Sequence, residues 1–107
     1  MSRRSDRQVV SSAQLFNVTL TNANEEYSQA LGAGARSISI QARTAVDVRL
    51  ACATGAVGTA TPVGPYLTVK SGGSHNSNGA LVAQSPTVFL ASGTAGTIIE
   101  IEVWREI

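Results

Sequence analysis

Apolar and polar residues alternate with a period of two in four separate stretches of this chain, and that pattern leaves few folds open. In Gln14–Thr21, Phe16, Val18 and Leu20 alternate with Asn17, Thr19 and Thr21. In Arg36–Arg43, Ile38, Ile40 and Ala42 alternate with Ser37, Ser39, Gln41 and Arg43. Val46, Val48, Leu50 and Cys52 do the same within Ala45–Ala53, as do Ile99, Ile101 and Val103 within Thr97–Arg105. Successive side chains of a strand point to opposite faces, so this spacing predicts antiparallel strands with one face buried and one wet. It also pins the register, because a slip of one residue would bury Asp47 with Arg49, or Glu100 with Glu102.

Shorter strands are predicted at Tyr27–Leu31, Pro65–Lys70, Ala80–Gln84 and Thr87–Ala91, and Asn22–Glu26 is read as a helical turn. Turn formers separate them: Gly32-Ala-Gly34, Ser71-Gly-Gly-Ser74, Asn78-Gly79 and Ser92-Gly-Thr-Ala-Gly96. The Gly-, Ala- and Thr-rich stretch from Thr54 to Gly64 reads as the longest loop. About eight short strands with regular turn signals predict an all-β chain, a jelly-roll-like antiparallel β-sandwich, over any α/β design. At 107 residues there is room for one such domain, assigned here to 13–107. Residues 1–12 are basic, Ser-rich and without period, and read as a flexible N-terminal arm carrying Arg3, Arg4 and Arg7.

Composition narrows the function. A net charge of +1 lacks the basic excess of a nucleic-acid-binding surface, so no nucleic-acid partner is expected. The basic start is followed by no apolar stretch of the roughly 7–15 residues that a secretory leader needs. Nor does any run approach the roughly 20 apolar residues of a membrane helix, so cytoplasmic synthesis and no membrane contact are expected. One Cys and one His form neither a zinc site nor a disulfide framework within a chain, and no metal or cofactor is expected. Asn17-Val-Thr19 matches a glycosylation acceptor but lies inside a predicted strand.

Candidates for catalysis are few. His75 falls in a Gly- and Ser-rich polar turn, where an imidazole is normally solvated. Cys52 is in phase with Val48 and Leu50 and should point inward as a small hydrophobe. Glu100 with Glu102, and Asp47 with Arg49, share outer strand faces, where charges are normally solvated. Gly32-Ala-Gly34 lacks the third glycine and the following helix of a dinucleotide site. No enzyme is expected. What remains is surface: Trp104 lies in phase with Glu100 and Glu102, on the polar side of the last strand, and tryptophan is enriched at binding hot spots.

Three stretches, Glu26–Arg43, Gly64–Ser74 and Thr87–Trp104, resemble small virion proteins of tailed phages. The likeness lies in a Tyr27-Ser-Gln-x-Leu31 opening and an Ala95-Gly-Thr-x-x-Glu-x-Glu-x-Trp104 close, and it covers most of residues 25–104. The resemblance implies a jelly-roll capsid decoration, or cement, protein that trimerises and clamps the major capsid protein lattice from outside the virion. Neck, tail and fibre-attachment adaptors are the alternatives within the same class. Trp104 and the Arg3/Arg4/Arg7 arm are then the expected partner-binding residues. A virion-mounted carbohydrate-binding module is a rival reading, in which Trp104, Tyr27 and Tyr66 would stack on sugar rings.

Overall fold

The described residues form eight strands: β1 (Ser11–Leu20), β2 (Tyr27–Ala30), β3 (Ala35–Ala42), β4 (Val48–Ala51), β5 (Leu67–Val69), β6 (Ser74–Asn78), β7 (Thr87–Ala91) and β8 (Thr97–Glu106). The structure is a computed structural model and describes residues 11–78 and 87–106. Among these residues there is no helix. The strands form two four-stranded antiparallel sheets, one ordered β1-β8-β3-β6 and the other β2-β7-β4-β5. This is the all-β sandwich that the alternation predicts.

The pairing is nested. β4 pairs with β5, β3 with β6, β2 with β7 and β1 with β8, so the chain runs as one long hairpin folded over on itself. Among the described strands only β4 and β5 are consecutive neighbours in one sheet; every other consecutive pair is split between the two sheets. The in-phase apolar residues supply the filling between the sheets. Leu20, Ile40, Leu90, Ile99, Ile101, Val48 and Val103 are almost entirely shielded from solvent. A satellite cluster joins Ala56 and Val57 of the long loop to Ala51 and Ala91, with Phe89 packed against it.

Three sequence expectations need correction here. Asn22–Glu26 is an irregular turn rather than a helical one: Asn24 takes a left-handed φ of 58° and its N–H bonds Ser92 O at 2.7 Å. Asn tolerates that region better than other non-glycine residues. His75 is not in a turn but in β6, paired opposite Ile40 and half-buried. β6 reads Ser-His-Asn-Ser-Asn and has no apolar alternation, so backbone pairing to β3 makes this strand without help from its composition. Cys52 is exposed, because β4 stops at Ala51 and the inward phase stops with it. The predicted strand Ala80–Gln84 and the Asn78-Gly79 turn reach outside the described residues, as does nearly all of the 1–12 arm; β1 already begins at Ser11.

Charged side chains hold the loops. Arg49, expected on a solvated face beside Asp47, instead donates to Val57 O (3.1 Å), Thr59 O (2.9 Å) and Asn24 Oδ1 (2.9 Å). Asp47 accepts from the Ser71 N–H at 2.7 Å. Glu26 receives the Thr54 hydroxyl and the Gly55 N–H at 2.8 and 2.9 Å. The long loop is therefore tied to the sandwich at several points, and its carbonyls are satisfied by a guanidinium, as loop backbone needs when it packs over a core.

Candidate functional site

Trp104 sits on β8, the strand flanked by β1 and β3, with Ala13 on one side and Ser37 on the other. Both neighbours are small, so the indole stands clear of them and is 42% exposed. One row along the sheet, Glu102 lies between Leu15 and Ser39, and Asn76 follows on β6. Leu15 is therefore the diagonal neighbour of Trp104 on the same outer face, a spacing that long side chains bridge. At 72% it is the most exposed large apolar residue in any described strand. Leu15 was legible as an anomaly: it precedes Phe16 directly and breaks the alternation of its segment.

The rest of this face is polar and cross-tied. Gln41 Nε2 donates to Glu100 Oε1 at 2.9 Å, and Arg43 Nε donates to Glu100 Oε2 at 2.8 Å. The Ser39 hydroxyl donates to Asn76 Oδ1 at 2.6 Å. The Gln41 bond first, and then the Arg43 bond, hold the Glu100 carboxyl below the usual carboxylate range. Its folded-state pKa is depressed, so the stabilisation is present at neutral pH and is lost as acid titrates the group through that lowered value. Gln41→Ala should thus lower stability at pH 7 by a small amount that vanishes in strongly acidic solution. Urea midpoints of both proteins across the acid range check this. A difference that persists unchanged below the carboxylate range contradicts it.

A second feature lies between the sheets. An apolar cleft of about 530 Å³ is lined by Leu31, Ile38, Leu50, Leu67 and Val88, with Tyr66, Cys52 and His75 also lining it. Cys52 and His75 thus share a cleft, but among the described residues neither side chain makes a hydrogen bond, and nothing orients one toward the other. Segment 79–86, which joins two of the cleft's strands, lies outside the described residues.

The three aromatic candidates for sugar stacking do not converge. Trp104 is on the outer face of the first sheet, while Tyr27 opens β2 and Tyr66 precedes β5, the two opposite edges of the second sheet. The Tyr27 hydroxyl is already engaged, accepting from the Asn22 N–H (2.8 Å) and donating to Glu25 Oε1 (3.1 Å). Arg3, Arg4 and Arg7 lie outside the described residues, so of the expected partner-binding set only Trp104 has a place in the structure.

No family model and no curated protein matches the chain. Two solved structures are similar to it. One is the solution NMR structure of a de novo designed double-stranded beta-helix, 19% identical, covering 90% of this chain and 99% of that one, with a TM-score of 0.46. The other is described by the words "Bacillus endospore appendages form a novel family of disulfide-linked pili", 14% identical, covering 100% and 97% of the two chains, with a TM-score of 0.49. Likeness at that level says nothing about what this chain binds.

Proposed function

We propose that this protein works by surface contact, as a structural subunit of a tailed-phage virion, and most specifically as a decoration protein that grips the outside of the head shell. The observation that carries the reading is the placement of Trp104 and Leu15: two large apolar side chains held out from a polar, hydrogen-bonded sheet face. Such a pair on a rigid support suits a protein partner, since aromatic anchors surrounded by polar groups are the usual form of an interface hot spot. The nested strand pairing fits a jelly-roll winding, and the sequence resemblance supplies the shell as the partner. A contact repeated over a symmetric lattice holds strongly even when each copy binds weakly.

The test is binding of purified protein to expanded capsids assembled without it. Full-length protein should co-sediment with the shells. Trp104→Ala should weaken retention by roughly thirtyfold, the effect of losing a hot spot of about 2 kcal/mol, while its thermal melt stays close to that of the parent. No retention of the parent on any such shell overturns the reading.

A further inference from the structure

Among the described residues the two sheets have four outer strands: β1 and β6 in the first, β2 and β5 in the second. Sheets protect their edges with short strands, prolines, charges or bulges, because an unprotected edge pairs with another chain. β5 has three residues, β2 four and β6 five. β2 also follows directly on Glu25 and Glu26. β1 has none of these devices. It runs for ten residues, Ser11–Leu20, without a charge or a proline, and its ten pairs with β8 continue without a register shift. Alternate residues of such an edge direct their N–H and C=O groups away from the sheet.

We propose that β1 is a self-pairing surface: two copies of this chain join antiparallel along β1, about a twofold axis, so that the β1-β8-β3-β6 sheet continues into a sheet of eight strands. The occupant is a second copy because the strand suits itself. Antiparallel pairing of two copies sets no like charges opposite one another, and a twofold axis through the strand brings its exposed large apolar side chain, Leu15, against itself. Each copy also closes the edge of the other, the self-complementary condition of a twofold interface. Leu15 fixes the register. It stands near the midpoint of β1 on the outer face, and a continuous sheet needs opposed residues to share a face. An axis at Leu15 places it against Leu15 of the partner subunit and covers the most exposed apolar side chain of the sheet. Neighbouring pairs follow from the same axis, with Asn17 opposite Ala13 of the partner subunit. This inference concerns the protein alone in solution; it assigns Leu15 to the contact between copies and leaves Trp104 as the exposed anchor of the shell-binding reading.

Sedimentation velocity of the purified chain decides the first point: the expected species is a dimer in reversible exchange with monomer. Leu15→Lys places two ammonium groups across the axis and should raise the dimer dissociation constant at least tenfold. Leu15 is solvent-facing in the single chain, so at concentrations where both proteins are monomeric the variant's melt should track the parent. A cysteine pair reads the register without depending on that variant. In a Cys52→Ala background, Leu15→Cys should form a covalent dimer under mild oxidation, whereas Asn17→Cys should not. A parent that stays monomeric, or that forms a trimer unaffected by Leu15→Lys, overturns the proposal, as does crosslinking at Asn17→Cys but not at Leu15→Cys. Shell binding is scored separately, with Trp104→Ala, so either idea can fail while the other stands.

Discussion

Ile101→Ala is expected to destabilise the domain by about 2–5 kcal/mol, the usual cost of emptying a closely packed site of this size. Ile101 is 1% exposed and lies on β8 between Phe16 of β1 and Ile40 of β3, so its side chain meets the core from the middle of the first sheet. The lost contacts cannot be recovered by collapse, because both flanking strands are fixed by their own ladders. The informative control is the next residue: Glu102→Ala, on the opposite face of the same strand, should change stability by no more than about 0.5 kcal/mol. Urea denaturation at neutral pH measures both. Comparable losses at the two positions would mean that the face assignment of β8 is wrong.

Gly32→Ala should cost about 2–4 kcal/mol, although it adds a single methyl group. Gly32 has a φ of +82°, where an L-residue is strained by about 1–2 kcal/mol. A Cβ there would also stand 3.0 Å from Nη1 of Arg105. That guanidinium is not free to step aside. It donates to Leu31 O, to Ala33 O at 3.0 Å and to Gln14 Oε1, tying the turn after β2 to the first sheet. Displacing it leaves the part-buried Leu31 carbonyl short of a donor, at a cost of about 1–2 kcal/mol, while the exposed Ala33 carbonyl can turn to water. The two effects separate in a double-mutant cycle with Arg105→Lys, which keeps the charge but lacks the planar fork. Gly32→Ala should cost less in the Arg105→Lys background. Strict additivity of the two substitutions in thermal or urea melts would show that steric pressure on the guanidinium plays no part.

The strands that carry both period-two alternation and an apolar inner face were legible: β1, β3, β4 and β8 fall within a few residues of their predicted spans, and β2, β5 and β7 follow from shorter runs. What the pattern could not show is how polar groups are used. β6 is all polar, so nothing in it distinguishes a strand from a turn until β3 is beside it. Arg49 and Asp47 read as an outer-face pair, yet each bonds a loop backbone: Arg49 donates to the carbonyls of Val57 and Thr59, and Asp47 accepts from the N–H of Ser71. Arg105 reads as one more residue of the last strand, while its three acceptors lie on β1 and in the turn after β2. Cys52 went astray for the opposite reason: periodicity carries a residue inward only while the strand lasts. At the candidate surface, Trp104 could be placed from phase alone. Leu15 could be seen only as an irregularity, and its position diagonal to the indole needed the β1–β8 register.

The nested pairing has a consequence for how the chain is made. Ser11 and Glu106 are partners across β1 and β8, so the two strands that close the first sheet are those farthest apart along the polypeptide. Contacts of such long range are slow to form, because loop closure must be paid for before they give any return. During translation β1 waits without its neighbour until the last strand has left the ribosome tunnel. Throughout that interval its uncharged backbone edge is open on both sides, which makes the nascent chain, rather than the finished domain, the state most exposed to misassembly.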